Sequence, residues 1–460
     1  MTDINTHAQP VGEVSRSLKM FWGSGALGVS VLSNGYSMLI LFYLVSILKI
    51  EPVLAGLLVF LTKIADVVSD PLVGLWSDRI STKIGRRRPF LLPGAVISGL
   101  SFALIFTTPV FDNQWLTIAY VFAVMLIYTV GYTVFNVPYM SMPAEMTDSY
   151  HERSSIQAYR VIFVTSGGFL VGSVAPWSLE MLGKGLWSSY AVIGIVGGLI
   201  VFLSMAVTYL GTRSARFTQS DSIVPKVLDE LSAIRCNPHF LRLIAIKCCQ
   251  LFAVAASGSA MMFFIVNSLQ LDFKVLAIFF AVITALSIIG TPLLLKVSKR
   301  LGKPEAYTVA AVAYVLYGAS WYFAVPNEPL WAILLRGAIV GVAMSGNILL
   351  GMSMLTDAIE YDARISGVRR EGAYTSIYSF VEKFTSAFGP LVIGVAMSMA
   401  GFDKTLPPEE LQSPAVHQAL LMGMCYIPVF MGVLAIVLIR GYSLDEKALD
   451  EAGASSAVKP

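Results

Sequence analysis

The chain of 460 residues is 56% hydrophobic and only 13% charged, with a mean hydropathy of +0.72. That balance excludes a soluble enzyme of two or three domains: the charges fall between long apolar runs, as lipid requires when it cannot satisfy an unpaired charge or a backbone polar group. The formal net charge of +3 gives no sign of nucleic acid as a partner.

Taken in order, the first residues are polar and lack the charged-then-apolar-then-small pattern of a cleavable signal peptide, so insertion is expected to rely on the first span. Apolar runs of about 20 residues, enough to cross roughly 30 Å of hydrocarbon, begin near Phe21, Pro52, Leu91, Trp115, Gln157 and Tyr190. Six more begin near Phe240, Phe273, Tyr307, Leu330, Ala373 and Val416. The expectation is an all-α polytopic membrane protein of twelve transmembrane helices in two six-helix pseudo-symmetric halves. Its parts are an N-terminal segment (1–20), a first half (21–211), a polar linker (212–238), a second half (239–440) and a polar tail (441–460) expected to be disordered. The halves echo each other, since Pro71-Leu72 before one basic loop is matched by Pro292-Leu293 before KVSKRLGKP. Repetition of a six-span unit is a transporter signature and places a solute site at the interface of the repeats.

Lysine and arginine set the orientation. Arg79, Lys83, Arg86, Arg87 and Arg88 follow the second span, Arg213, Arg216, Lys226 and Arg235 lie in the central loop, and Lys299, Arg300, Lys303, Arg364, Arg369 and Arg370 occupy later alternate loops. The positive-inside rule then places both termini in the cytoplasm. The location is the plasma membrane, which is the inner membrane if the source is Gram-negative. Of the cysteines, Cys248, Cys249 and Cys425 sit in apolar spans and Cys236 in a basic loop, without disulfide or metal-ligand spacing.

Chemistry concentrates between Ile64 and Pro89, in IADVVSDPLVGLWSDRISTKIGRRRP. Asp66 and Asp70 are one helical turn apart on one face, with Lys63 a turn earlier. An ionisable group inside a membrane span is costly unless it meets a partner or a water-filled cavity, so it marks function by default. Two carboxylates at close range can share a hard cation or hold a proton, and a salt-bridged structural set with Lys63 is the bland alternative. Asp78, Arg79, Arg86, Arg87 and Arg88 could meet Asp357, Glu360 and Asp362 of the other half as a cytoplasmic gate. They could equally serve the positive-inside rule alone. No nucleotide loop, metal cluster or nucleophile–base pair points to an enzyme, and no cofactor is expected beyond a coupling ion.

Four stretches carry a family resemblance: KIADVVSDP (Lys63 to Pro71), YTVFNVP (Tyr132 to Pro138), Arg160 in QAYRVIF, and MLTDAIEYD followed by REGAYTSIYSFVEKF (Met354 to Phe384). With GLWSDRISTKIGRRRP (Gly74 to Pro89), they resemble the major facilitator superfamily. The finer similarity is to its glycoside-pentoside-hexuronide:cation symporters, the group of the melibiose permeases. The resemblance implies a cation site at Asp66, Asp70 and Thr133, with Ser69 where sodium-using sugar permeases carry asparagine; Na⁺ and H⁺ both remain open. It also implies positive residues at Arg160 and Lys383, facing the two aspartates across a cavity.

The chain departs from that family where sugars are gripped. Ser30 and Asn136 stand in place of carboxylates, and Met140 and Ile348 in place of tryptophans. Tyr132, Asn136 and Met140 fall on one helical stripe, and Glu382 is an extra carboxylate beside Lys383. Tyr36, Tyr139, Trp321, Tyr374 and Tyr378 read as core packing before ligand contact. The expected function is a secondary-active cation-coupled symporter, acting as a monomer on a small organic solute by alternating access. The alternative is an ion-independent facilitator or carrier of an amphipathic, lipid-like solute. A sensor or scaffold is disfavoured, because no substantial soluble domain offers an output surface.

Overall fold

A computed structural model describes residues 14–80, 82, 84–147, 149–183, 185–215, 234–235, 237–368, 370–407 and 410–444, without the side chains of Asp78, Arg79, Ala144, Tyr150 and His151. Among the described residues the first six long helices are α1 (Arg16–Phe42), α2 (Pro52–Arg79), α3 (Arg88–Phe106), α4 (Gln114–Met146), α5 (Tyr150–Phe169, running on to Leu182) and α6 (Trp187–Gly211). The second six are α7 (Pro238–Phe263), α8 (Phe273–Leu301), α9 (Lys303–Ser320), α10 (Leu330–Ser366), α11 (Glu371–Met399) and α12 (Pro414–Leu421, running on to Arg440). Eleven of them are long and apolar enough to cross a membrane. The remaining one, α9, falls short because its 18 residues open on Lys303, Pro304 and Glu305, which leaves too short an apolar run.

The helices start where the backbone chemistry dictates. Proline, whose missing N–H costs nothing in a first turn, opens α2, α3, α7, α9 and α12. Asn237 Oδ1 accepts from Phe240 N at 3.1 Å to cap α7, and Asn113 Oδ1 accepts from Trp115 N at 2.9 Å to cap α4. Capping by Ser149, whose Oγ accepts from Glu152 N, starts α5 well before the apolar run at Gln157. Hydropathy finds the membrane-length run and misses the polar turns that precede it. Most of the stretch expected as the central linker, 216–233 and 236, lies outside the described residues, as does the tail from 445. The tail's first residues are not loose: Tyr442 and Leu444 are buried, and Tyr442 donates to the Met354 carbonyl.

The two halves repeat in backbone detail. The link from α1 to α2 and the link from α7 to α8 each begin with a π-helical turn, Tyr43–Ile47 and Phe264–Ser268. Each closes with the same pair of backbone bonds, Leu48 N and Ile50 N to Tyr43 O and Leu44 O, and Leu269 N and Leu271 N to Phe264 O and Ile265 O. Both then place a non-glycine residue at positive φ, Lys49 at 56° and Gln270 at 53°. The same residue interval separates Tyr43 from Phe264, Lys49 from Gln270, Pro52 from Phe273 and Pro71 from Pro292.

The halves meet along α2 and α11 and at the end where α2 begins. There Ser398 Oγ donates to Glu51 Oε1 at 3.3 Å, Lys404 pairs with Glu51 at 3.4 Å, and Phe273 N donates to Glu180 Oε2 at 3.0 Å. Phe42 packs on Phe263 with ring centroids 4.9 Å apart. Along α2 and α11 the backbones nearly touch, since a Cβ on Gly56 would lie 2.6 Å from Pro390 O and one on Gly394 would lie 2.3 Å from Pro52 O. Toward the opposite, arginine-rich end the contact is lost. Leu72, Leu75 and Trp76 of α2 are exposed, as are Thr375, Ser376, Ser379 and Phe380 of α11. The molecule is sealed at the Pro52 end and opens toward its basic end.

Candidate functional site

At the depth where the halves part, Lys383 of α11 reaches into α2. Its Nζ lies 2.9 Å from Asp66 Oδ2 and 2.5 Å from Asp70 Oδ2, so one ammonium from the second half bridges two carboxylates of the first. Thr133 of α4 closes the other side, its hydroxyl 3.1 Å from Asp66 Oδ1 and 3.2 Å from Asp70 Oδ1. Ser69 Oγ is 3.0 Å from Thr133 Oγ1 and donates to the Asp66 carbonyl. A hydroxyl carries one hydrogen, so Thr133 can serve one of these acceptors at a time, and the carboxylate oxygens hold capacity in reserve. Lys63 takes no part in an ion pair among the described residues; its Nζ stands 5.5 Å over the Tyr36 ring, itself bonded to Thr62. The structural alternative of Lys63 pairing with the aspartates is therefore not the arrangement found, and Lys383 supplies the counter-charge.

The residues read as facing solute divide into two groups. Tyr132, Asn136 and Met140 form the expected stripe on α4, half-buried to exposed. Lys383 stands 5.4 Å over the Tyr132 ring, and Asn136 Nδ2 is 3.4 Å from the Tyr132 hydroxyl. The Asn136 Oδ1 and the Arg160 Nε are buried without a hydrogen-bond partner among the described residues. Arg160 does not reach the aspartates: it lies among Tyr132 and Tyr139, so only one of the two positive residues expected there meets the carboxylates. Ile348 is 61% exposed on α10, and Glu382 is exposed on α11. Ser30 is a correction. It is 2% exposed between α1 and α5, where its hydroxyl donates to the Val164 carbonyl and accepts from Asn34, so it faces no cavity.

Among the described residues, three of the charges expected to join the halves at the basic end have a partner in their own half. Arg87 binds Glu145 and Ser77, Asp357 binds Lys303 at 2.6 Å, and Glu360 binds Arg364 one turn along its own helix. Every partner in these pairs lies in the same half as the residue it serves, as the parting of the helix ends requires. Arg86 is half-buried, and the side chains of Asp78 and Arg79 lie outside the described residues.

A family model described as MFS/sugar transport protein matches residues 21–446. The chain belongs to that family. It is a multi-pass membrane transporter of the major facilitator fold, similar to glycoside-pentoside-hexuronide:cation symporters, and not an enzyme. Among curated relatives, the uncharacterized symporter YnaJ of Bacillus subtilis is 26% identical over 453 residues, covering 96% of this chain and 94% of that one. The putative glycoside/cation symporter YagG of Escherichia coli is 24% identical, covering 94% and 93%. The isoprimeverose transporter of Lactiplantibacillus pentosus is 23% identical, covering 88% and 84%. A solved bacterial homologue of the human lysosomal transporter Spinster, inward-facing and unoccupied, superposes with a TM-score of 0.66 at 14% identity over 96% of this chain and 98% of its own, which shows the fold.

Two parts of the transporter escaped the sequence reading. Asn34 is exposed on α1 one turn from Ser30, so the polar group that Ser30 was expected to offer belongs to Asn34 instead. Lys247 of α7 is 6% exposed, a buried ammonium within a run that reads as apolar. The available signal was the same rule that singled out Asp66, an ionisable residue inside a membrane span. The five aromatics assigned to packing, Tyr36, Tyr139, Trp321, Tyr374 and Tyr378, are all buried.

Proposed function

We propose that the transporter is a cation-coupled symporter that imports a small glycoside-like solute by alternating access, with its basic end and both termini in the cytoplasm. The observation that carries the reading is the bridge of Lys383 to Asp66 and Asp70, an ion pair drawn from both halves at the point where they separate. A cation bound by the two carboxylates, with the Thr133 and Ser69 oxygens beside them, competes with the ammonium for the same oxygens. Oxygen ligands of this kind suit Na⁺, and a proton on either carboxylate achieves the same neutralisation. Release of Lys383 loosens the contact of α2 with α11, so ion binding has a different affinity for the two states, which is the requirement for shifting between them. In this orientation the conformation described here is inward-facing. Solute then enters the space beside Asn136 Oδ1 and Arg160 Nε, an acceptor and a donor without partners among the described residues. The names of the relatives YagG and isoprimeverose transporter support a glycoside as the solute class.

The test is uptake into proteoliposomes of isoprimeverose and nitrophenyl glycosides under an imposed Na⁺ or proton gradient. Asp70→Asn is expected to abolish accumulation above the external concentration while counterflow of internal and external solute continues. Full accumulation by Asp70→Asn would remove the coupling role from this site. Wild-type uptake indifferent to both gradients leaves the facilitator reading in its place.

A further inference from the structure

Inside the second half, α7, α10 and α11 enclose a gap bounded by donors. Lys247 and Tyr378 are 6% and 5% exposed. The Lys247 ammonium donates to Gln250 Oε1 at 3.3 Å, an oxygen that also accepts from Tyr307 at 3.3 Å, and it lies 5.5 Å from the centre of the Tyr378 ring. It forms no ion pair among the described residues. The Tyr378 hydroxyl is buried with no hydrogen-bond partner among the described residues. A methyl group placed on Gly351 would find only two heavy atoms of other residues within 4 Å, Tyr378 Oη at 3.5 Å and Lys247 Nζ at 3.9 Å. Beside the glycine there is therefore room for a small group, with an ammonium and a phenol at van der Waals distance from it.

An ammonium has three hydrogens to donate and no acceptor, and burying its charge without a counter-ion is costly. The group that fits here accepts hydrogen bonds and carries negative charge. We propose that Lys247, Tyr378 and Gly351 form a subsite for an oxyanionic substituent of the solute, a carboxylate or sulfonate. This rests on the transporter reading above and narrows the solute to an acidic glycoside or sugar acid. Tyr378 precedes Lys383 by five residues on α11, about 7.5 Å along the axis. Glu382, one turn after Tyr378 and exposed, acts electrostatically on both Lys247 and Tyr378 and stands at the rim. Its charge opposes an entering anion.

The experiment measures ligand affinity of the purified full-length transporter in detergent, from the shift in melting temperature. The probes are matched acidic and neutral pairs: methyl glucuronide with methyl glucoside, methyl galacturonide with methyl galactoside, and sulfoquinovose with quinovose. At least one acid is expected to bind about tenfold or more tightly than its neutral counterpart, the scale of a charge-assisted hydrogen bond. Lys247→Gln is expected to bring that ratio close to one and Lys247→Arg to retain most of it. Tyr378→Phe, which removes a single oxygen and keeps the test decisive if Lys247→Gln does not fold, is expected to lower the ratio about fivefold. Glu382→Gln is expected to raise it. The inference is overturned if no acid outbinds its neutral partner, or if the preference survives Lys247→Gln. It is also overturned if Glu382→Gln lowers the ratio, because Lys247 then serves Glu382 and not a ligand. Binding in every case independent of Na⁺ and pH, by contrast, counts against the coupled reading and leaves the acid preference to be judged on its own.

Discussion

Thr133 is fully buried and offers its hydroxyl to both aspartates, which makes it the smallest change that can weaken ion binding without touching a charge. Thr133→Val keeps the shape of the side chain and removes the only neutral side-chain oxygen described in contact with both carboxylates. Loss of such a bond costs about 1–3 kcal/mol where the partner stays buried. The apparent affinity for the coupling ion, read from melting temperature against Na⁺ concentration and against pH, is expected to fall about tenfold or more, a factor that corresponds to about 1.4 kcal/mol. Thr133→Ser is expected to retain it; an unchanged ion response in Thr133→Val would leave Thr133 a packing residue. Asp66 and Asp70 were legible in the sequence because charge inside a lipid-length run demands a partner. That rule alone does not choose the partner, since Lys63 on the same helix and Lys383 on a distant one satisfy it equally; Lys383 facing the aspartates was implied only by the family resemblance. Ser30 was misread for a related reason: a hydroxyl in a helix can be spent on a neighbour's carbonyl, and nothing in its spacing tells which way it turns.

The contact between α2 and α11 depends on having no side chain at Gly56 and Gly394. Membrane helices approach closely where small residues face each other, because lipid offers no hydrophobic drive to hold larger ones together. A Cβ at residue 394 would sit 2.3 Å from the Pro52 carbonyl, a backbone atom that cannot turn aside. Gly394→Leu therefore has to push α2 from α11. It is expected to destabilise the transporter by about 1–3 kcal/mol, as overpacking does, and to reduce coupled uptake through the misplaced Lys383. Gly372→Ala, on the same helix with nothing within 4 Å of the new carbon, is the control and is expected to keep or slightly raise stability. Melting temperature and gradient-driven uptake of the two variants check the pair, and equal behaviour would show that the close approach positions nothing. The twelve helices were legible from apolar run length, whereas the polar turns that open α5 were not. Neither were the π turns at Tyr43 and Phe264, because a π turn adds a residue to the helix ladder without changing its composition.

At the scale of the whole molecule, the six-and-six division was legible from the twelve apolar runs, the polar break between the sixth and seventh, and the repeated Pro-Leu pair. The state adopted was not, because one sequence must be compatible with both states. The structure keeps its inter-half contacts at the Pro52 end, where Glu51 meets Ser398 and Lys404 and where Phe42 meets Phe263. At the basic end Arg87, Asp357 and Glu360 each have a partner within their own half, so parting the halves there leaves these three satisfied. Alternating access requires the sealed end to come apart in every cycle, and its few polar contacts are weak enough to allow that: exposed ion pairs are worth about 0–1 kcal/mol each. Covalent closure of that end is therefore the sharpest global test. In a background with the four native cysteines changed to alanine, Glu51→Cys and Ser398→Cys put thiols on two side chains that now meet across the halves, within reach of one equivalent of a short bifunctional thiol reagent with a cleavable disulfide spacer. Crosslinking is expected to stop solute uptake into proteoliposomes, and reduction of the spacer to restore it. Ser379→Cys, on the exposed face of α11, is expected to stay reactive toward a polar thiol reagent in the crosslinked protein, because the basic end is held open. Transport that continues with the crosslink in place would mean that the halves do not rock about the Lys383 bridge, and the ion pair would then belong to a fixed channel wall.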